Sequence, residues 1–333
     1  VALQQDNLPS TDKGVSGFVW VKNRDETYTH MLFDSSRGPN KRLKSNATSD
    51  ELSHYNYLNK FLKGGYQVGE ELSLNKAGNS FVSWNWVANS GTTASNTDGS
   101  INSTVQANTT AGFSIVQWTG LGGGSARTIG HGLSSAPEWI VVKPLTGSSG
   151  YNWNIYHIGT DASNPSDYFI ALNTNSIRDN SANLWNDTAP TSTVFSVNHE
   201  ATAGALGNEM IAYCWHGVDG FSKFGSYTGN GSTDGPFVYL GFKPAWVMFK
   251  RTTVAATDWA LQDNKRDTFN PSQKVMTPNQ NYAEFTNSLY NVDFLSNGFK
   301  IRNSTSPWNI SGSTYIYMAF AEHPFVGDGT NPV

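Results

Sequence analysis

The chain has 333 residues, of which only 14% are charged, and its formal net charge is -4. That charged fraction is well below the roughly 25% of ordinary soluble proteins, but 11 Trp, 14 Tyr and 18 Phe exclude a disordered chain. Lys and Arg form no cluster beyond residues 41–44, which argues against a nucleic-acid-binding protein. No apolar run approaches the roughly 18 residues of a membrane span, so membrane insertion is not expected, and the single cysteine, Cys214, excludes an intramolecular disulfide.

An apolar run occurs three times along the chain. After a polar, turn-forming start, residues 18–22 read FVWVK, and this β-branched and aromatic content is typical of a strand buried on both faces. The corresponding runs are residues 139–143 and 246–250, whose first residues, Trp139 and Trp246, are 107 positions apart. Self-similarity at a fixed period predicts three tandem modules.

The first module carries the one persuasive helical pattern. Residues 50–62, DELSHYNYLNKFL, place Leu52, Tyr55 and Leu58 near a 3.6-residue period. We therefore expect one short helix here, followed by a strand of large residues at 81–86. Residues 89–111 contain no aromatic residue and almost no charge, so they are predicted to form a linker or an extended arm.

The second and third modules share a longer motif. Residues 112–143 and 220–250 both open with Gly-Phe-Ser, pass through a Gly-rich turn and close on Pro-x-Trp. A phosphate-binding loop would continue into Lys-Ser/Thr and a helix. Because neither follows, we interpret both Gly-rich segments as hairpin turns. No spacer separates Trp215 from Gly220, so these two modules are expected to share an interface.

Short strands punctuated by Gly, Asn, Ser, Thr and Pro are typical of antiparallel sandwiches. The predicted fold is all-β, with three tandem antiparallel β-sandwich modules, jelly-roll-like, and one short helix in the first. The predicted divisions are residues 1–88, the first module with a polar N-terminal arm; 89–111, a linker rich in Ser, Thr, Asn and Gly; 112–219, the second module; and 220–333, the third.

Several phrases of the sequence carry a family resemblance. They are WVKNRD, HMLFDSSRG, SFVSWNWVAN, TAGFSIVQWTG, SKFGSYTGNGSTDGPFVYLGFKPAWVMFKR and TYIYMAFAEHPF. Together they resemble the repeated module of tail-fibre-like virion proteins of tailed bacteriophages, an uncharacterised family of marine phage type. The resemblance covers about residues 17–325, although the first module lacks the YTGNG turn. It implies a homotrimeric virion structural protein, assembled in the cytoplasm of the bacterial host, that contacts other virion proteins.

Acidic residues that could serve a glycan-cleaving enzyme are scattered. Such an enzyme needs two carboxylates about 5 to 9 Å apart, and the candidates, which lie in no recognisable motif, are more simply turn and surface residues. They are Asp161, Asp167, Asp179, Asp187, Glu200, Glu284 and Asp293. The seven histidines show none of the local spacings of a zinc site. We therefore predict no catalytic residue, no metal and no cofactor.

Two tryptophans differ from the rest because they have no clear equivalent in the other modules. Trp185 and Trp308 lie in polar, loop-like surroundings, whereas the other tryptophans belong to repeated strands or have a ring counterpart. Flat rings stack on sugar faces and bury a large area at low entropic cost. Trp185 and Trp308 are therefore the predicted ligand-binding residues.

The function expected from the resemblance is that of a non-enzymatic phage virion structural protein, a tail-fibre or appendage component that contacts the host surface. Two alternatives stay open. One is a capsid decoration or head-fibre protein. The other, suggested by the aromatic residues and polar loops, is a module that binds or cleaves a host surface glycan.

Overall fold

The computed structural model describes residues 2–4, 17–62, 65–88, 93–122, 124–147, 150–305 and 307–323. Strands account for 42% of the described residues and helices for 6%, so the predicted all-β, sandwich-like fold is confirmed. Parts of the predicted N-terminal arm (residues 5–16) and of the predicted linker (89–92) lie outside the described residues. No helix within the described ranges is long and apolar enough to cross a membrane.

The first module packs a sheet of order β3-β2-β8 against a sheet of order β1-β7-β6. Its elements are β1 (Ala2–Gln4), β2 (Gly17–Asn23), β3 (Met31–Asp34), β4 (Lys41–Arg42), β5 (Leu52–Ser53), β6 (Leu58–Leu62), β7 (Gly65–Val68), α1 (Leu72–Asn75) and β8 (Phe81–Val87). Val19, Phe33 and Tyr66 belong to the core of this module.

The second module is the largest, with an eight-stranded sheet of order β16-β15-β14-β13-β18-β11-β10-β9 and a second sheet of β12 and β17. Its elements are β9 (Ala94–Asn96), β10 (Ser103–Asn108), β11 (Phe113–Thr119), β12 (Arg127–Gly130), β13 (Trp139–Pro144), β14 (Asn154–His157), a 3-10 turn (Pro165–Asp167), β15 (Tyr168–Ala171), β16 (Asp179–Asn180), α2 (Ala182–Trp185), β17 (Val194–Val197), α3 (Glu200–Ala203) and β18 (Glu209–Trp215). Cys214 is buried in its core, where burial raises the pKa of the thiol.

The third module packs a sheet of order β19-β27-β21-β22 against a sheet of order β20-β26-β25. Its elements are β19 (Ser222–Thr228), β20 (Phe237–Tyr239), β21 (Pro244–Arg251), β22 (Ala260–Asp263), β23 (Lys274–Val275), β24 (Phe285–Thr286), a 3-10 turn (Ser288–Tyr290), β25 (Val292–Leu295), β26 (Gly298–Ile301) and β27 (Thr314–Ala321). Phe249, Phe299 and Trp308 belong to its core.

The repeated apolar runs form β2, β13 and β21, and each is buried along most or all of its length. Alternate side chains of a strand point to opposite faces. On one face, residues such as Val19 and Val247 fill the core of their own module. On the other face, residues such as Trp20, Trp139 and Trp246 enter a second core. The prediction of a strand buried on both faces is therefore confirmed.

This second core is shared by all three modules, and we call it the central core. Trp86 of the first module lies at its middle, with ring centroids 5.9 Å from Trp215 of the second module and 5.5 Å from Trp246 of the third. The Trp86 ring also lies 5.6 Å from Phe320. The three sandwiches thus meet around one aromatic cluster, with approximate threefold symmetry within a single chain.

Polar contacts around the central core run from each module to the next. Trp153 Nε1 of the second module donates to Lys44 O of the first at 2.9 Å. At the equivalent position of the third module, Trp259 Nε1 donates to Ala171 O of the second, also at 2.9 Å. These buried indole N–H groups therefore have partners only because a neighbouring module supplies them.

The first module contacts the third, so that each module contacts both of the others. Its ring at the corresponding position is His30, which lies against the backbone of Thr277. Trp84 Nε1 donates to Asp263 Oδ2 at 3.1 Å. The contacts therefore lead from the second module to the first, from the first to the third and from the third to the second. The expected interface between the second and third modules is present, as one of three.

The lysine that ends each repeated run is buried and donates to backbone carbonyls. Lys22, Lys143 and Lys250 are all fully buried, and desolvation lowers their pKa to about 8, 8 and 7. Lys143 Nζ donates to Thr48 O of the first module at 2.9 Å, and Lys250 Nζ donates to Asn175 O of the second at 3.4 Å. These two lysines thus bind a backbone carbonyl of a neighbouring module, whereas Lys22 Nζ donates within its own module, to Glu26 O at 3.2 Å.

The helix expected at residues 50–62 is absent, because this segment contains β5 and β6. The backbone N–H of Glu51 donates to Leu145 O of the second module at 2.9 Å, and Glu51 Oε2 pairs with Arg37 at 3.0 Å. These anchors hold the segment extended, and tertiary contacts override the helical pattern. The short helix of the first module is α1 instead.

The segment 89–111, predicted as a linker, contains two strands of the second module. β10 pairs with β11 over five positions, and β9 continues the sheet beyond it. Gln106 of β10 also accepts hydrogen bonds from Ser35 and Ser36 of the first module, at 2.8 and 2.7 Å. Val105 supplies the apolar side of the strand. Strands near the edge of a sheet need few large apolar residues, and the composition therefore resembled that of a linker.

The Gly-rich segments are not hairpin turns. The strand before the turn at 229–236, β19, pairs with β27, whereas the strand after it, β20, pairs with β26. The turn therefore carries the chain from one sheet of the sandwich to the other. The equivalent segment of the second module likewise connects β11 to β12, which pairs with β17.

Candidate functional site

The centre of the molecule is closed to ligands. A cavity of about 20 Å³ lies within the central core and is lined by apolar side chains that include Trp86, Trp139 and Trp246. That volume accommodates at most one water molecule. The cavity is therefore a packing feature, and a binding site must be sought on the surface.

The two tryptophans predicted to bind a ligand are buried, so that prediction is wrong. Trp185 is 1% exposed and packs against Tyr156 at a centroid distance of 6.0 Å. Trp308 is fully buried between Phe249 and Tyr290, at 4.5 and 5.4 Å. Both rings fill the core of their own module, although the surrounding sequence is polar.

The acidic candidates do not form one cluster. Asp161 Oδ1 caps a turn by accepting from the backbone N–H groups of Ser163 and Asn164. Glu284 is structural, because it bridges Arg24 of the first module and Arg266 of the third, both at 2.8 Å. Within the described ranges, no three His, Cys, Asp or Glu side chains are grouped as metal ligands.

The other acidic candidates lie apart. Asp167 ends a 3-10 turn, Asp187 follows α2 with a positive φ of 42°, and Glu200 begins α3. Asp179 and Asp293 each line a surface groove, but the two grooves belong to different modules.

The larger groove lies on the third module and has a volume of about 650 Å³, within the usual range for ligand pockets. We call it the module-three groove. It is lined by Thr233, Asp234, Asn270, Pro271, Asn291, Asp293 and Arg302. These residues come from the turn before β20, the loop after β22, and the ends of β25 and β26. The groove therefore forms where four separate segments meet.

A network of charges crosses this groove. Arg302 Nε pairs with Asp293 Oδ2 at 2.9 Å, and Arg302 Nη1 lies 3.8 Å from Asp234 Oδ1. Lys300 Nζ pairs with the same oxygen of Asp234 at 2.8 Å. The hydrogen bond from Lys300 lowers the pKa of Asp234, so this carboxylate is ionised at neutral pH. The side chain of Asp234 remains 82% exposed to solvent.

The turn that carries Asp234 is held in place by one buried amide. Asn309 Nδ2 donates to Ser232 O at 2.7 Å and to Asn230 Oδ1 at 2.9 Å, and Asn309 Oδ1 accepts from Asn230 N at 2.7 Å. On the opposite wall, Asn270 exchanges two hydrogen bonds with the backbone of Phe294, at 3.0 and 2.9 Å. Both walls are therefore fixed before any ligand arrives.

A smaller groove of about 310 Å³ lies on the second module. Its lining includes the half-buried rings of Tyr151 and Phe169 together with Asn152, Asp179 and His199. Within the described residues it has one carboxylate and no Lys or Arg side chain in its lining. It is the second candidate site.

Sequence reasoning overlooked most of the module-three groove, although a signal was present. The second module has Ser125 where the third has Asp234, and Asn198 where the third has Arg302. The charged residues of the groove are therefore positions at which the modules disagree. Because they are separated by up to 68 residues, their proximity emerges only from the fold.

The fold and its grooves define a class of protein, a pseudo-threefold assembly of three β-sandwiches in one chain. Residues 11–324 match a single protein-family model, described as a domain of unknown function, DUF7483. The chain belongs to this family. No curated protein and no solved structure matches it. The family model spans all three modules, in agreement with their shared central core.

Proposed function

We propose that the chain is a non-enzymatic structural protein of a bacteriophage virion, a tail-fibre or appendage component assembled in the bacterial cytoplasm. The central core is the observation that carries this proposal. Three sandwiches that share one aromatic cluster are packed together as one unit, and such a unit suits a load-bearing or surface-presenting part. The resemblance to tail-fibre-like proteins supports the same role.

The distribution of acidic residues also favours a non-enzymatic role. Glu284 is occupied by two arginines, and Asp161 by a turn and Arg178. Asp293 is paired with Arg302. These three carboxylates thus have structural partners that account for them without a reaction.

Mass spectrometry and immunogold labelling of purified particles would test the proposal. The protein should be present in particles of the phage that encodes it, and antibody against the chain should label one defined part of them. Labelling of the head would favour a decoration or head-fibre protein instead of a tail appendage. Absence from intact particles, with the protein found free in the lysate, would refute a structural role.

The expected homotrimer is a separate proposal. In a phage fibre, a threefold arrangement can be formed by three chains. In this protein, three modules of one chain surround the central core, so the threefold arrangement of the modules does not by itself require a trimer of chains. Sedimentation of the purified protein at micromolar concentration would distinguish a trimer near 109 kDa, which is three times the chain mass of 36.3 kDa, from a monomer.

A further inference from the structure

We propose that β8 of the first module is an acceptor edge for a β-strand of another polypeptide, which docks antiparallel to it. β8 pairs with β2 over seven positions, and no strand among the described residues pairs with its other edge. The open edge of a sheet presents backbone N–H and C=O groups with which an extended chain can pair. This docking site does not depend on the virion proposal, since it concerns the purified chain and not the particle that carries it.

The other two modules show what covers this edge. The strand equivalent to β8 is β18 in the second module, where it lies between β13 and β11. In the third module it is β27, which lies between β21 and β19. β11 and β19 each run antiparallel to their neighbour over seven positions. In the described part of the first module, β2 is the counterpart of β13 and β21, and the position of β11 and β19 is empty.

The exposure of β8 agrees with a missing neighbour. β18 and β27 are buried at six successive positions, whereas five of the seven residues of β8 are only half-buried. Trp84 and Trp86, which point into the central core, are 8% and 9% exposed, the two highest values among the eleven tryptophans. A strand on this edge would cover both rings and extend the central core.

The equivalent strands define the chemistry of the strand that fits. Ile115 of β11 and Phe224 of β19 both enter the central core, and both lie opposite the residue equivalent to Trp84. Three residues later, Trp118 and Tyr227 enter the core of their own module. The docking strand therefore needs a large apolar residue followed, three positions later, by an aromatic residue.

β8 is suited to receive such a strand. Phe81, which packs against the core of the first module, would lie opposite the aromatic residue. Edge strands are commonly protected from pairing by Lys, Pro or a bulge. β19, which is also at a sheet edge, carries Lys223, whereas β8 contains no charged residue and no proline, and its pairing with β2 is regular. Asn85 Nδ2 donates to Ser83 Oγ at 3.0 Å, so these two polar side chains are already paired when a strand docks.

The donor is a different polypeptide and not a second copy of this chain. The strands that fill this position in the other modules, β11 and β19, are already paired with β18 and β27 and contribute to their cores. A second copy could donate one of them only by unfolding a module. A partner with an extended segment of the same pattern pays no such cost.

Binding can be tested with the intact purified chain and two synthetic peptides. Their sequences are those of residues 112–119, GFSIVQWT, and 221–228, FSKFGSYT. We expect saturable one-to-one binding of both labelled peptides, measured by fluorescence anisotropy. The first peptide should bind about 10-fold to 100-fold more weakly with Trp118→Ala, because it then buries less apolar surface. With Ile115→Asp it should not bind measurably, since a carboxylate would enter an apolar core.

Hydrogen exchange measured by mass spectrometry locates the bound peptide. Backbone amides of β8 should exchange more slowly when either peptide is bound. β18 and β27 are the internal controls, because both of their edges are already paired, and their exchange should not change. In the protein, Ser83→Lys places a charge on the acceptor edge and should weaken binding by about 10-fold. Ser226→Lys, at an exposed position of β19, is the matched control and should bind normally.

The peptide series decides the proposal even if Ser83→Lys does not fold. The proposal fails if neither peptide binds, if a scrambled peptide binds equally well, or if binding slows exchange in β18 or β27 and not in β8. Dimerisation of the chain that slows exchange in β8 without any peptide would assign this edge to a second copy and would also overturn it.

Discussion

Replacing Trp86 by alanine should destabilise all three modules together. The ring belongs to the first module, but its centroid lies 5.5 to 5.9 Å from Trp215, Trp246 and Phe320 of the other two. Trp→Ala in a core costs about 3 to 5 kcal/mol. Because the surrounding rings come from three rigid sheets and cannot collapse into the space, we expect a loss near 5 kcal/mol. The midpoint of thermal unfolding should fall by about 10 °C.

Hydrogen exchange measured by mass spectrometry distinguishes shared from local damage. In Trp86→Ala, amide exchange should accelerate in β8, β18 and β27, which are the strands that pair with the repeated runs in the three modules. Trp308→Ala is the matched control, since that ring packs only within the third module. There the acceleration should be greatest in β21 and β26. Faster exchange confined to the first module in Trp86→Ala would refute the coupling of the modules through the central core.

The remaining predictions concern single side chains. Trp308→Ala should lower the free energy of unfolding, measured by urea titration, by about 3 to 5 kcal/mol. Trp308→Phe should lower it less, because Trp308 Nε1 has no partner among the described residues and its loss therefore removes no hydrogen bond. Near-equal losses for the two variants would contradict this packing. Burial lowers the pKa of His157 to about 4, so as the pH falls this imidazole is protonated in the unfolded chain before it is protonated in the folded chain. The free energy of unfolding should therefore decline by up to about 3 kcal/mol as the pH falls from 6.5 to 4. His157→Gln should flatten this part of the pH profile, and an unchanged slope would exclude His157 as its source. Glu284→Gln should lower the free energy of unfolding, measured by the same urea titration, by about 2 kcal/mol, because it weakens hydrogen bonds to two arginines. Glu26→Gln is the control, because Glu26 pairs with Lys76 at an exposed position, and it should leave the midpoint of the titration nearly unchanged.

The strands of the sheets were predictable because their signal is local. The run from Phe18 to Lys22 is apolar at successive positions, and this requires cover on both faces. Its three copies also indicated equivalent modules. The sequence did not show that the second face belongs to a core common to all modules, because contacts such as Trp86 with Trp246 join residues 160 positions apart.

The burial of Trp308 and the composition of the module-three groove were not predictable for the same reason. Trp308 is flanked by Pro307 and Asn309, which suggests a surface loop, yet its partners Phe249 and Tyr290 approach from other parts of the chain. Asn309 is polar but fully buried, since it ties two loops together. The polar residues around Trp308 therefore indicated correctly that this segment is a loop, but they indicated wrongly that the ring is exposed.

The contacts between modules around the central core determine how a truncated chain should assemble. Each module contacts its two neighbours through two different faces, so the interface is heterologous and closes only at the third copy. A fragment containing two modules would leave one face of each kind unfilled. Such a fragment can satisfy both faces only by recruiting a module from another chain, and truncation of this protein should therefore produce domain-exchanged oligomers in place of a smaller monomer.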